Sequence, residues 1–400
     1  MRPITSLTCV SLLMCAFLFA PGAVRSSEPV LGDVRDGVRR IELLRPGPSN
    51  PRNSEGDFIR LKDGRLLLVY THFTGGAGDH AQAHLAGRFS DDGGQSWSAE
   101  DVVVIPNEAD RNIMSVSLLR LADGRIALFY LRKNSLSDCR PAMRTSDDEA
   151  QSWSDPVEII PDGELGYYVL NNDRVVQLDD GRLVLPLAQH DGIGWEKWMP
   201  KAQILGYYSD DCGQTWKRGK DAPTPEPAAG KPVTLQEPGV VALKDGRLMI
   251  WCRTDAGSQY VGYSPDKGET WSKLEPSNMI SPLSPATIER IPSTGDLLLV
   301  WNDHRHIEPS LRGKRTPFCA AISSDDGKTW RNVKTLEDNP HGWYCYTAMA
   351  FAGDHVVLAH CAGDRRTNNG LAMTQVTRFP VKLLYVEPGV GNRPVRRLPR

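Results

Sequence analysis

The chain lacks the features that mark several large classes of protein. Its 47 Lys and Arg residues nearly balance 49 Asp and Glu residues, for a formal net charge of −2. No charge excess therefore indicates binding to nucleic acid or to an anionic membrane. The apolar run Leu7–Ala20 is shorter than the about 20 residues that a membrane-spanning helix needs. Sustained helical periodicity is missing as well, which argues against a helical fold.

Cysteine and histidine spacings typical of metal sites are also missing. Six cysteines follow the N-terminal segment, from Cys139 to Cys361, without a CxxC motif or a Cys/His pair at zinc spacing. His80 and His84 form an HxxxH pattern, but neither helical periodicity nor a third carboxylate ligand accompanies it. We expect neither a metal nor a cofactor. The sequence leaves the oligomeric state open.

The two ends of the chain differ from its middle. Arg2, the apolar run and the following PGAVRSSEP have the order of a signal peptide, which predicts a leader over residues 1–26 and a secreted or periplasmic protein. A buried first helix is the alternative. Residues 386–400, which include NRPVRRLPR, are rich in Pro and Arg and predict a disordered tail.

A hydrophobic run broken by a tight turn recurs six times. Four copies carry a DGR turn and two degenerate copies follow; they span residues 58–70, 118–130, 175–187, 240–252, 288–301 and 349–360. Aliphatic and β-branched residues on both sides of Asp-Gly indicate a β-hairpin. Each copy therefore predicts strand, turn, strand.

A second motif, S-x-D-x-G-x-[ST]-W, follows each of the first five hairpins. Its copies span residues 90–97, 146–153, 209–216, 264–271 and 323–330, with Ala150 replacing the glycine in the second copy. A calcium loop would need alternating oxygen ligands that end in a distant Glu, and that spacing is missing. We interpret the motif as scaffold, in which Ser and Asp bond the turn backbone and Trp packs between sheets.

Together the two motifs define one period of hairpin, third strand, turn and fourth strand, roughly every 55–65 residues. The sixth copy ends without the turn motif. Four-stranded units in sixfold repetition predict an all-β fold, a six-bladed β-propeller of antiparallel blades. We expect one such domain over residues 40–385.

Five of these turns, known as Asp boxes, in a sixfold β chain resemble the sialidase (neuraminidase) superfamily. The fourth repeat, QEPGVVALKDGRLMIWCR, is similar to the family segment in which a glutamate opens one strand and an arginine closes the next. The resemblance implies that Glu237 activates the nucleophile and that Arg253 is one arm of a carboxylate clamp. It also implies that Arg315, which leads into the last Asp box, is another arm. A surface ion pair and an ordinary basic loop are the alternatives.

The resemblance also implies a nucleophile and an acid/base. Tyr346 in GWYCYTAMAF matches the family's nucleophilic tyrosine, with Tyr344 as the competitor because alternate residues of a strand share a face. Asp79 is the only aspartate between Asp63 and the first Asp box, in a glycine-rich stretch. It would need a raised pKa to protonate a leaving group.

The match breaks in the first repeat. Counting back from the turn glycine Gly64, the family's first clamp arginine should fall near Ser54 and Glu55. Arg52 lies two residues earlier and could replace it only if the loop bends differently. A glutamate at that place would oppose a substrate carboxylate.

A polar cluster opens the third hairpin, in YYVLNNDRVVQL. It contains Asn171, Asn172, Asp173 and Arg174. We predict that Asn172 and Arg174 contact a sugar at the mouth of the channel. A well-bonded turn explains the cluster equally well.

The resemblance and the predicted signal peptide together imply a secreted exo-glycosidase, similar to sialidases, that removes a terminal acidic sugar from a glycan or glycoconjugate. Two alternatives remain open. One is a non-catalytic propeller that binds glycans or a protein partner. The other is a hydrolase or lyase for a different acidic sugar.

Overall fold

The structure, a computed structural model, describes residues 30–192, 199–367 and 370–387. The predicted signal peptide lies outside the described residues, as does the predicted tail apart from residues 386–387. Within the described ranges, no helix is long and apolar enough to cross a membrane.

Strands dominate the described residues, which form five sheets of four or more strands and one two-stranded sheet. Three sheets have four strands: Arg52–Arg60, Leu66–Phe73, Ala83–Ser90 and Val102–Ile105; Leu235–Ala242, Leu248–Thr254, Ser258–Ser264 and Glu275–Ile280; and Thr287–Arg290, Leu297–Trp301, Phe318–Ser323 and Arg331–Glu337. A nine-stranded sheet contains Asn112–Arg120, Ile126–Lys133, Cys139–Ser146, Val157–Glu158, Gly166–Val169, Val176–Gln177, Leu183–Gly192, Gln203–Ser209 and Lys217–Arg218. A five-stranded sheet contains Asp33–Arg35, Val38–Leu44, Gly342–Ala352, His355–Asp364 and Thr374–Pro380. Val30–Leu31 pairs with Ser96–Trp97, and short 3₁₀ helices occupy Asp162–Glu164, Pro309–Leu311, Arg365–Thr367 and Val381–Tyr385.

This architecture is an all-β propeller of mainly antiparallel sheets, as the sequence predicts, but the expected six separate blades are wrong. The six repeats contribute to five large sheets in the described residues, because the second and third repeats join. The edge strand Val157–Glu158 pairs only with Ala142 and Met143 of its neighbour. That leaves the beginning of the neighbour's edge open, where Cys139 pairs in parallel with Tyr167 of the third repeat.

The truncated sixth repeat is completed by the beginning of the chain. Val38–Leu44 pairs antiparallel with Thr374–Pro380, which itself pairs with His355–Asp364. One sheet thus combines residues from both ends of the described chain. This pairing closes the ring of sheets without a terminal edge between the two ends.

The core lies between neighbouring sheets. Within Ile126–Leu131, the even-numbered side chains cluster with Leu67 and Val69 of the first four-stranded sheet. The odd-numbered side chains cluster with Leu183 and Leu185 of the third repeat. Because successive side chains of a strand point to opposite faces, one strand contributes to two interfaces. This packing accounts for the nearly continuous apolar runs of the six hairpins.

The Asp boxes form internally bonded turns. In every copy the third-position Asp accepts hydrogen bonds from both the backbone N–H and the hydroxyl of the Ser or Thr four residues later; the pairs are Asp92/Ser96, Asp148/Ser152, Asp211/Thr215, Asp266/Thr270 and Asp325/Thr329. Ala150 takes a positive φ of 66° where the other copies have glycine. These contacts are those of a structural turn.

Candidate active site

Three candidate residues occupy the same kind of backbone position. Register shifts in the first, fourth and sixth repeats leave Glu55, Glu237 and Tyr346 in β-bulges. Their φ angles are 56°, 50° and 53°, values that non-glycine residues rarely adopt. Bulges of this kind redirect a side chain out of the regular alternation, and they concentrate near functional sites.

Each bulged strand is the first strand of its repeat and an edge strand of its sheet. Asn172 Nδ2 donates to the carbonyl oxygens of both Gly56 (2.8 Å) and Tyr346 (3.2 Å). Thr287 Oγ1 donates to the carbonyl oxygen of Thr347 at 2.8 Å. These bonds hold the beginnings of separate repeats around one centre.

Tyr346 and Glu237 meet at this centre. The Tyr346 hydroxyl donates to Glu237 Oε1 at 3.2 Å, and Arg253 Nη1 lies 2.8 Å from Glu237 Oε2. Burial, reinforced by the negative charge of Glu237, raises the pKa of the Tyr346 phenol, which Arg253 only partly opposes. The resting tyrosine is therefore protonated, with a carboxylate in place to accept its proton. Tyr344, the competing candidate, instead stacks on Phe318 with ring centroids 5.8 Å apart.

The Arg253 guanidinium is held mainly by hydrogen bonds to Gln236. Its Nε and Nη2 donate to Gln236 Oε1 at 3.0 and 2.6 Å, while Nη1 also lies 3.5 Å from the Tyr346 hydroxyl. Gln236, which the sequence does not single out, precedes Glu237 directly. It therefore fixes the guanidinium that pairs with the carboxylate.

Arg315 presents buried donors without acceptors. The residue is only 9% exposed, and its Nε and Nη1 have no hydrogen-bond partner among the described residues. The guanidinium lies 5.1 Å from the Trp343 ring and 5.3 Å from the Tyr346 ring. A buried cation next to the tyrosine, with N–H groups to spare, is suited to an anionic ligand.

Arg52 reaches the site from two residues before the expected position. Its Nη1 contacts Asp79 Oδ1 at 2.5 Å, its Nη2 contacts Glu55 Oε1 at 3.0 Å, and its Nε donates to Ser54 Oγ at 3.0 Å. The guanidinium also stacks on the Phe73 ring at 4.4 Å. Arg52 is therefore at the site, but its donors are occupied by neighbouring residues.

The two carboxylates on Arg52 differ in environment. The Asp79 side chain is 61% exposed; partial desolvation acts to raise its pKa, but the charge and hydrogen bond of Arg52 prevail and lower it. Glu55 is 5% exposed, and burial raises its pKa despite Arg52, with support from the charges of Asp79 and Glu237. Asp79 thus has the opposite shift from the one that a resting proton donor needs.

Asn172 and Arg174 lie under the site rather than at its mouth. Both are at most 2% exposed. Arg174 donates to the carbonyl oxygen of Ala286 at 2.8 Å and to Thr287 Oγ1 at 3.2 Å. This placement favours positioning of the central strands over the predicted sugar contact, because buried side chains bonded to backbone have little access to a ligand.

Lys133 is a further cation that the sequence did not single out. Its Nζ donates to the Asp79 carbonyl oxygen at 2.9 Å and lies 5.4 Å from the Tyr167 ring. The only local signal was its place at the end of the second hairpin, comparable to that of Arg253 in the fourth. Asn112 supports the same loop, with Nδ2 donating to the Asp79 carbonyl at 3.0 Å.

Comparison with known proteins places this geometry in context. A family model described as a BNR repeat-like domain matches residues 68–358. A sialidase from Micromonospora viridifaciens is 25% identical over 368 residues, which cover 82% of this chain and 53% of the relative. A sialidase from Paraclostridium sordellii is 26% identical over 247 residues, covering 54% of this chain and 56% of the relative. The chain thus spans about half the length of these curated relatives.

Among solved structures, the Hadza microbial sialidase Hz136 aligns with a TM-score of 0.66 and 17% identity. The alignment covers 84% of this chain and 66% of that one. At this identity the likeness shows the fold alone.

Proposed function

Because this chain belongs to the BNR repeat-like domain family, within the sialidase superfamily, we propose that it is a sialidase-like glycoside hydrolase. In this proposal it removes a terminal acidic sugar from a glycan or glycoconjugate. Tyr346 is the nucleophile, Glu237 is its base, and Asp79 is the acid/base. Arg315 binds the acidic group of the sugar.

The observation that carries the proposal is the contact between the Tyr346 hydroxyl and Glu237. A phenol is a weak nucleophile at neutral pH, and an adjacent base is the usual way to activate one. The 3.2 Å distance from hydroxyl to carboxylate is within reach for direct proton transfer. Arg253 holds Glu237 from its other oxygen at 2.8 Å, which fixes the carboxylate.

The chemistry follows in two displacement steps. Tyr346 Oη attacks the anomeric carbon while its proton passes to Glu237, and the glycosidic oxygen leaves with a proton from Asp79. Water then attacks the same carbon and gives a proton to Asp79, and the tyrosine oxygen recovers its proton from Glu237. A tyrosine suits an acidic sugar because a neutral phenol is not repelled by a nearby carboxylate, and sialidases are a known exception to two-carboxylate catalysis.

Asp79 must gain a proton before it can act as an acid. Its contact with Arg52 opposes that, since the positive charge favours the carboxylate form. We therefore propose that the Arg52–Asp79 contact loosens when substrate binds. The glycine-rich loop that carries Asp79, with Gly75, Gly76 and Gly78, can accommodate such a movement.

Release of 4-methylumbelliferone from an α-sialoside and from a panel of uronic and deoxy-sugar glycosides tests this function. We expect Tyr346→Phe and Glu237→Gln each to lower turnover at least about 100-fold on whichever glycoside the wild type cleaves. Tyr344→Phe is the matched control, since it removes a hydroxyl two residues away in the same strand. Equal activity of Tyr346→Phe and Tyr344→Phe would exclude Tyr346 as the nucleophile.

A binding protein without turnover is the second candidate. The closed Arg52–Asp79 ion pair at 2.5 Å favours it, because an ionised aspartate cannot protonate a leaving group. In that case no glycoside of the panel would be cleaved, while a glycan array would still report binding. Binding that is lost in Arg315→Ala would assign the same pocket to recognition alone.

We further propose that the protein is exported and that residues 40–385 act as one propeller. Export rests on the signal-peptide pattern of residues 1–26. The N-terminal sequence of protein recovered from the periplasm or medium would test it. Retention of an intact Met1 in exported protein would exclude cleavage there.

A further inference from the structure

Glu55 adds a carboxylate to the site at the place where the sialidase resemblance leads one to expect an arginine. Its Oε1 pairs with Arg52, but its Oε2 is buried and has no hydrogen-bond partner among the described residues. A buried carboxylate oxygen without a partner is costly, since its desolvation is not compensated. A ligand that brings a hydrogen-bond donor would remove that cost.

The position of Glu55 relative to the nucleophile is fixed by the backbone. Glu55 lies in the bulge directly before Gly56, whose carbonyl oxygen shares one donor, Asn172 Nδ2, with the carbonyl oxygen of Tyr346. Asn172 is fully buried, so this link is part of the folded core. A sugar whose anomeric carbon contacts the Tyr346 hydroxyl would therefore lie beside Glu55.

The arginines of the site do not form a threefold clamp. Arg52 is engaged by Ser54, Asp79 and Glu55, and Arg253 is engaged by Gln236 and Glu237. Arg315 is the one of these three arginines with buried N–H groups that have no acceptor in the described residues. A substrate carboxylate would thus bind next to the positively charged Arg315 and away from the acidic Glu55.

We propose that Glu55 is a specificity-determining residue that accepts a hydrogen bond from a ring hydroxyl of the sugar, while Arg315 binds the sugar's carboxylate. This deepens the proposed function and rests on it for the location of the sugar. The substrate class is then a hexuronic-type sugar acid, with ring hydroxyls and a carboxylate on separate sides. A sugar that carries its carboxylate on the anomeric carbon and directs it toward the first repeat would place it against Glu55, and the two would repel.

Equilibrium binding tests this without requiring turnover. Calorimetry measures the binding of D-glucuronate, D-galacturonate and N-acetylneuraminate to the full chain. We expect at least one hexuronate to bind the wild type about tenfold or more tightly than N-acetylneuraminate. Tighter binding of N-acetylneuraminate, or binding of none of the three, would overturn the proposal.

Two variants separate specificity from structure. Glu55→Gln keeps the shape but weakens the acceptor, so we expect about tenfold weaker hexuronate binding, with N-acetylneuraminate binding unchanged or improved. A merely structural defect would weaken both probes in parallel and would count against the proposal. Glu42→Gln is the control, because Glu42 is exposed and pairs with Arg45.

The wild-type comparison stands even if Glu55→Gln does not fold. The test also separates the two proposals. Full hydrolytic activity in Tyr346→Phe would refute the mechanism yet leave the affinity ratio to decide the role of Glu55. Conversely, an unselective site with an inactive Tyr346→Phe would refute only the role of Glu55.

Discussion

Replacement of one Asp-box carboxylate, Asp92→Ala, tests whether these turns are scaffold. Asp92 Oδ1 accepts hydrogen bonds from Ser90 Oγ and from the backbone N–H groups of Gln95 and Ser96, all at 2.9 Å. Its Oδ2 accepts from the Ser96 hydroxyl at 2.6 Å. The substitution removes all four bonds from a turn that leads directly into the buried Trp97.

The expected cost is moderate because the turn faces water. An intramolecular hydrogen bond contributes about 0.5–1.5 kcal/mol net, but water replaces the carboxylate on exposed donors. Loss of a comparable helix N-cap costs about 0.5–2 kcal/mol. We therefore expect Asp92→Ala to lower the free energy of unfolding by about 1–2 kcal/mol, or Tm by about 1–3 °C for a chain of this size.

The neighbouring Asp91 supplies the matched control. Asp91 is exposed and takes no part in the four bonds of the turn. Calorimetry should show Asp91→Ala within about 0.5 kcal/mol of the wild type, as for an ordinary surface change. Equal losses in both variants would refute the hydrogen-bond reasoning. A rise in wild-type Tm on addition of calcium that Asp92→Ala abolishes would refute the scaffold interpretation itself.

The stability difference between the wild type and Asp92→Ala should also depend on pH. Partial burial acts to raise the pKa of Asp92, but the hydrogen bonds from Ser96 and Ser90 outweigh it and lower the pKa in the folded chain. A lowered folded-state pKa means that the contribution is complete above about pH 4 and disappears as the pH falls through the folded value. The difference between wild type and Asp92→Ala should therefore shrink below about pH 4 in the same calorimetric assay.

Three further changes probe the centre and the core. Asn172→Asp removes the donor shared by two central strands, so on any cleaved glycoside kcat should fall about tenfold or more with KM little changed; a change confined to KM would contradict a positioning role. Gly239→Ala places a Cβ 2.3 Å from the Trp251 ring and should cost about 1–3 kcal/mol in urea unfolding, whereas Gly163→Ala, with no atom within 4 Å, should be nearly neutral. Burial lowers the pKa of His360 to about 4, so its contribution to stability should fall by roughly 2–3 kcal/mol from pH 7 to pH 4. If the free energy of unfolding falls as steeply toward low pH in His360→Gln as in the wild type, this reasoning is wrong.

The features that sequence alone predicts are the local ones. In the first hairpin, Asp63 Oδ1 accepts from the Arg65 N–H at 3.0 Å and Gly64 adopts a φ of 93°, as the DGR pattern requires. The same holds for the Asp boxes, whose bonds span only four residues. Turn chemistry of this kind is decided within a few residues, so it can be read from the chain directly.

The features that sequence alone misses depend on distant pairings. Nothing local indicates that Val38–Leu44 pairs with Thr374–Pro380, because the partners lie at opposite ends of the chain. Nor does any local signal join the second and third repeats through Cys139 and Tyr167. Such contacts arise when the sheets pack into a ring. The hydrophobic pattern of each repeat is compatible with a separate blade and with a joined sheet.

The bulge of the first repeat determines which side chains reach the candidate site. A Cβ on Gly56 would lie 2.6 Å from the Val69 carbonyl oxygen, so glycine is required for the close approach of the two strands there. With that bulge, Arg52 reaches the site although it lies two residues before the position expected for an arginine. Glu55 occupies a backbone position equivalent to those of Glu237 and Tyr346. In the proposed mechanism, this one backbone position, repeated around the ring, supplies a base in one repeat and a nucleophile in another. In the first repeat it supplies an acceptor, and a site that combines such an acceptor with one available arginine should select sugars by their hydroxyls as much as by their charge.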